Sequence, residues 1–268
     1  MKKKLNILTI SYLLFLVLLF LSGAFVGLLS DLVYFLAFLL PIAICIYKVR
    51  DEENELKDCL YISRDDAMLF IPLIFPIISL MMLISFLTSF VIFNLTGKTY
   101  SIDLGDSYVM ALINHALLPA ILEEALFRYL PMRMIAPHSP RCAIIISSLF
   151  FALVHGNLFQ IPYAFIGGII FMSLNLATGS IIPSLVIHFV NNAMSISMSF
   201  IQIPLVLFLV YVFIGAATVI SLSVAWRYRE DYEIPFLFIS DKGEGVVFTW
   251  QMVAFTVMAL SLAIISIL

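Results

Sequence analysis

Nine stretches of this chain are apolar over about the length needed to cross a bilayer, and that repetition constrains the fold more than any single motif. A helix rising 1.5 Å per residue needs roughly 20 apolar residues to cross about 30 Å of hydrocarbon. Such runs fall at 5–29, 32–48, 67–94, 107–130, 141–157, 159–177, 180–201, 203–226 and 246–268. The expected fold is therefore all-α, a polytopic transmembrane helical bundle of eight to nine spans. The count turns on 141–157 and 159–177, which are short and joined by a very tight turn. Composition agrees: the chain is 63% hydrophobic and 12% charged, whereas a soluble protein is about half apolar.

The basic residues predict an orientation. With the N-terminus in the cytoplasm, twelve of the 14 Lys and Arg residues fall in inner segments, from Lys2, Lys3 and Lys4 through Arg133 and Arg141 to Lys242. Only Lys98 falls outside, and Arg128 lies within a span. Positive charge collects on the cytoplasmic side of membrane proteins, so the expected location is the cell membrane with a cytoplasmic N-terminus. The Lys2–Lys4 cluster resembles the start of a signal peptide, yet its apolar run is too long and no small-residue cleavage site closes it; it reads as a retained helix. No basic patch with interleaved aromatics points to nucleic acid. Cys45, Cys59 and Cys142 are odd in number, widely spaced and form no CxxC pair, so they predict neither a disulfide framework nor a thiolate metal site.

The chain divides into three regions by where ionisable residues fall. Residues 1–106 carry N-terminal scaffold helices, 107–202 carry a four-helix core, and 203–268 carry two further helices around a polar cytoplasmic segment. The core holds what the apolar runs should exclude: Glu123, Glu124 and Arg128, then His155, then His188 with Asn192. A charged side chain near the bilayer centre costs about 2.5–3.5 kcal/mol on an insertion scale, so residues of this kind are functional candidates.

Spacing assigns them different work. Glu124 and Arg128 are one helical turn apart and can pair, while Glu123 points about 100° away and stays free of that pair. Both carboxylates sharing Arg128 is the structural alternative, although one arginine leaves a buried carboxylate uncompensated. Phe151 and His155 share a face, as do His188 and Asn192. Either histidine alone reads equally well as a helix–helix hydrogen-bonding group; two beside a carboxylate pair point to one site. Rise per residue puts Glu123 about 12 Å, His188 about 14 Å and His155 about 21 Å from the cytoplasmic helix ends, with the site reached from that side. His115 reads as structural or interfacial, His138 as solvated, and Met81 and Met82 as packing or lipid-facing.

A His-Glu-x-x-His zinc helix, a Gly-x-Ser-x-Gly elbow and a Gly-x-Gly-Asp motif are all missing. A carboxylate with an imidazole can orient water and take its proton, and a His-Asn pair can stabilise an oxyanion. Alternatively Glu123, His155 and His188 can ligate a divalent metal such as zinc that activates the water. The residues leave these alternatives open.

Taken in order, Glu-Glu-x-x-x-Arg, Phe-x-x-x-His and His-x-x-x-Asn resemble the motifs of the CPBP family, which comprises the CAAX prenyl endopeptidases, bacteriocin-processing intramembrane proteases and lysostaphin-resistance-like proteins. The resemblance covers roughly residues 107–202. It implies an intramembrane endopeptidase in which Glu123 and His155 activate water and His188 and Asn192 stabilise the oxyanion, with Glu124 and Arg128 at the accompanying positions. It implies a peptide or lipidated-protein substrate and contact with membrane lipids, and leaves the metal open. Two other classes compete: a catalytically silent scaffold, immunity or regulatory protein, and a proton-coupled transporter using the same Glu–His relay. The first usually lacks a motif residue, and the second calls for an inverted repeat; neither feature is visible here.

Overall fold

The computed structural model describes residues 1–49, 59–101, 104–105, 107–227 and 249–265. Among these residues the chain forms nine helices: α1 (Lys2–Ser22), α2 (Leu28–Val49), α3 (Arg64–Thr96), α4 (Tyr108–Met134), α5 (Pro140–Val154), α6 (Ile161–Thr178), α7 (Ile182–Phe200), α8 (Pro204–Arg227) and α9 (Trp250–Ile265). Six of them, α1 to α4, α6 and α8, are long and apolar enough to cross a membrane; α5 and α9 are apolar but shorter. Helix α7 has the length, but carries one histidine, two asparagines and four serines. The polytopic all-helical bundle is as expected. The parts of the sequence-predicted loop at 50–58 and polar segment at 228–248 lie outside the described residues.

Local chemistry starts several of these helices. The Ser63, Ser107 and Ser139 hydroxyls accept from the backbone N–H of Asp66, Met110 and Cys142, which satisfies donors that a helix start leaves unpaired. Pro140 follows Ser139 at the first helical position, where its missing N–H costs nothing.

Helix α4 is irregular in a way the apolar pattern does not reveal. It contains two π-turns, Ile113–Leu117 and Ala125–Tyr129, on either side of the Glu123-Glu124 pair. Each is followed two residues later by a proline, Pro119 and Pro131. A proline inside a helix has no N–H to give and its ring crowds the carbonyl four residues back; widening the preceding turn relieves that crowding. The carbonyl freed by Pro131 belongs to Phe127, and the buried Ser147 hydroxyl of α5 donates to it. The Tyr12 hydroxyl of α1 donates to the neighbouring Leu126 carbonyl at 3.3 Å.

The hydrophobic core joins both ends of the chain to the central helices. Tyr12 packs between Phe127 and Phe150 with ring centroids 5.0 and 4.9 Å away, Phe15 meets Phe38 at 4.7 Å, and Phe150 meets Phe255 at 4.3 Å. Contacts of this kind stabilise by about 0.5–1.5 kcal/mol beyond area burial. Helices α1, α2 and α9 thus brace α4 and α5 from one side. Helix α6 approaches α5 closely at Gly168, where an added Cβ would stand 2.9 Å from the Ser148 Cα; small residues allow backbone approach where lipid supplies no hydrophobic drive.

Candidate active site

Helix α4 brings the two carboxylates and α7 the histidine between them. His188 Nδ1 lies 2.8 Å from Glu124 Oε1, and its Nε2 lies 3.7 Å from Glu123 Oε2. A carboxylate can only accept, so Nδ1 carries the proton and donates it to Glu124; this fixes the ring and turns Nε2 toward Glu123. Arg128 Nε stands 3.6 Å from the other Glu124 oxygen. Glu124 therefore serves two partners, where the sequence predicts only Arg128. The extra partner is supplied by α7, 64 residues away, and sequence spacing carries no trace of it.

Arg128 and Glu124 are fully buried. The guanidinium carbon sits 4.0 Å from the Phe151 ring centroid and 5.6 Å from that of Phe171. Among the described residues its three nitrogens have no hydrogen-bond partner, so its charge is balanced by ring faces and by Glu124. Cation–π contact of a desolvated arginine is worth about 2 kcal/mol or more. The Phe of the Phe-x-x-x-His motif thus touches three members of the set: besides Arg128, its ring meets His155 edge-on at 5.1 Å and His188 at 5.6 Å.

His155 lies just past the last residue of α5, at its C-cap, and not inside a span. This corrects the expected helix over 141–157. Gly156 follows with φ +61°, a left-handed conformation that side chains disfavour, and the helix ends there. The remaining turn is held by the Asn157 side chain, which receives the Gln160 N–H at 2.9 Å. His155 Nδ1 donates to the Phe151 carbonyl at 2.8 Å, leaving Nε2 for the site.

A cavity of about 640 Å3 collects these groups. Glu123, His155, His188 and Asn192 all line it, as do Phe151 and the adjacent Asn191, whose amide donates to Asn192 Oδ1 at 3.2 Å. Glu124 and Arg128 are not part of its wall. Sequence reasoning missed Gln160, Tyr163 and Asn191, and read His115 and Met81 as structural, although both face the same space. The available signal was the one-turn spacing of polar residues: Asn191, Ser195 and Ser199 on α7, and Ser85 and Ser89 on α3.

The direction in which the cavity extends departs from expectation. On α3 its lining begins at Met81 and continues through Ser89; on α4 it stops at Glu123; on α7 it begins at His188 and runs to Ser199; on α8 it comprises Leu207 and Tyr211. In every case the wall runs from mid-helix toward the end of the bundle that holds Lys98, away from Arg64, Arg133, Arg141 and Arg227. Depth counted from the basic end places the residues but is blind to the side from which they are approached. The polar face of α7, from His188 to Ser199, lines that other side.

Glu123, His155 and His188 have the donor chemistry of a zinc site. Among the described residues, however, no group of three or more His, Cys, Asp or Glu side chains is gathered so as to hold a metal ion. The arrangement does not fit a metal, and no step below runs through one.

Glu123, His155, His188 and Asn192 thus bring a carboxylate, two imidazoles and an amide to one cavity of an all-helical bundle, a set able to activate water and stabilise an oxyanion. The model of one protein family, type II CAAX prenyl endopeptidase Rce1-like, matches residues 105–194. That match places this segment, which contains every residue of the site, in the CAAX endopeptidase family that the motifs resemble, and supports a CAAX-type intramembrane endopeptidase in general. Neither the comparison with curated proteins nor that with solved structures finds a match.

Proposed function

We propose that this chain is a glutamate-dependent intramembrane endopeptidase of the cell membrane, acting on a membrane-associated peptide or lipidated protein. The observation that carries the reading is the split of the two adjacent carboxylates. Glu123 faces the cavity with His155, His188 and Asn192, while Glu124 is sealed behind it against Arg128 and His188. A purely structural ion cluster has no need to leave one carboxylate on a cavity wall.

In the proposed reaction, Glu123, with His155 beside it, takes a proton from water as the water oxygen bonds to the scissile carbonyl carbon. The carbonyl electrons move to oxygen, where the Asn192 amide N–H, its own oxygen engaged by Asn191, stabilises the developing charge, and His188 adds a second donor through Nε2 in its doubly protonated form. Collapse of this intermediate breaks the C–N bond, and the proton held on Glu123 passes to the departing amine. Glu124 keeps its charge throughout and holds His188 in orientation. General acid–base catalysis of this kind contributes about 10²–10⁴-fold.

The test compares membrane and secreted peptides from cells carrying the wild-type chain with those carrying Glu123→Gln at equal expression. A precursor that accumulates uncut in the variant is the expected result. Unchanged processing in the variant, with the protein present and folded, sinks the assignment.

A further inference from the structure

Resting on the endopeptidase reading, we propose that the cavity is fed from the non-cytoplasmic side, through a polar lane between α3 and α7, and that its substrate is an extended peptide segment presented at that face. Three observations converge. The first is the cavity wall, which on each helix lies between the catalytic residues and the Lys98 end. That end is held together by its own contacts: Tyr108 Oη lies 2.8 Å from Ser197 Oγ, and the Tyr100 and Phe159 rings stack at 5.7 Å. The starts of α4 and α6 and the ends of α3 and α7 are therefore gathered on one side of the bundle.

The second is charge. Among the described residues, Lys2, Lys3, Lys4, Lys48, Arg64, Arg133, Arg141 and Arg227 stand toward the opposite end of the bundle, against Lys98 alone at this one, and positive charge marks the cytoplasmic face. The mouth of the cavity then opens on the other face.

The third is the chemistry of the lane. Ser85 and Ser89 of α3, and Ser195 and Ser199 of α7, each lie one turn apart and line the same space. An extended peptide entering a bilayer must find partners for its backbone N–H and C=O groups, each of which costs several kcal/mol if left unpaired in hydrocarbon. Two hydroxyl-bearing helix faces offer such partners. From His188 to Ser199 the lane is about 16 Å long at 1.5 Å per residue, room for about five residues of extended chain.

The test uses single cysteines in the full-length chain. Cys45, Cys59 and Cys142 are buried, so the unsubstituted protein is the control. Ser199→Cys is expected to react with a charged, membrane-impermeant maleimide added to intact cells, and Lys3→Cys only after permeabilisation. Reaction of Ser199→Cys only after permeabilisation, or under neither condition, overturns the proposal. A second variant, Ser195→Trp, narrows the lane and is expected to slow cleavage of the precursor found with Glu123→Gln at least tenfold at equal protein level. Wild-type cleavage by Ser195→Trp, with Glu123→Gln inactive, sinks the lane and leaves the endopeptidase standing. Normal cleavage by Glu123→Gln removes the endopeptidase reading, and the substrate lane with it, whatever the labelling pattern.

Discussion

Helices α4 and α8 are similar in length and both lie in runs apolar enough to span a bilayer, yet they solve opposite problems. Helix α8 buries a single residue, Ile214; its apolar surface faces outward almost everywhere, and one of its links to the bundle is Thr218, which lies 2.7 Å from Ser79 of α3. Helix α4 buries Glu124, Arg128, Phe127 and Leu126, departs twice from α-helical geometry, and draws hydrogen bonds from α1 and α5 onto its backbone. The comparison teaches that hydropathy is enough to keep a helix in the membrane. Holding charge there takes partners from at least two other helices, because neither lipid nor the helix itself can satisfy a carboxylate.

The contrast can be broken or sharpened by substitution, and the largest effect is expected in chemistry. Glu123→Gln should lower the rate of cleavage by about 10²–10⁴-fold, the range for loss of a general base, while leaving thermal stability in detergent near wild type; a large loss of stability would recast Glu123 as part of the buried scaffold. Replacing Arg128 by Leu strands Glu124 without its cation. Breaking a buried pair costs about 3–5 kcal/mol, so the variant should unfold well below wild type, and wild-type stability would show that His188 alone compensates Glu124. Ser147→Ala leaves the Phe127 carbonyl unpaired behind Pro131, for an expected loss of about 1–3 kcal/mol in the same unfolding measurement. At the small end, Ser223→Ala on the exposed face of α8 should change stability by less than about 0.5 kcal/mol. If it matched Ser147→Ala, the two helices would not differ in the way described.

Much of this architecture is legible in the residues alone. The apolar runs locate most of the helices to within a few residues, because a bilayer imposes one length and one composition; the run at 5–29 overshoots, since α1 ends at Ser22 and α2 already begins at Leu28. The motif spacings pick out Glu123, Glu124, Arg128, His155, His188 and Asn192, because ionisable and amide groups are conspicuous against such a background. Other features were hidden. The C-cap position of His155 depends on Gly156 adopting a left-handed conformation, and apolar periodicity does not register a one-residue turn. The π-turns in α4 are marked only by prolines, which also occur harmlessly at helix starts in α5, α6 and α7. Helix α7, whose polar face lines the site, has no comparable irregularity, so α4 had no internal precedent.

What the linear chain determined by itself is therefore the solvent it lives in, the set of chemically competent side chains, and the asymmetry of charge between its two ends. Each is a property of composition along one helix or loop, and physical chemistry reads it without knowing any neighbour. Only the tertiary structure decided that His188 stands between two adjacent glutamates, that the Phe151 and Phe171 rings both lie against Arg128, and that the cavity extends away from the basic end. Those facts join α3, α4, α5, α6 and α7, whose contributing residues are far apart in the chain. Helix packing sets their distances and directions, and packing depends on the small residues, kinks and freed carbonyls at which the helices meet.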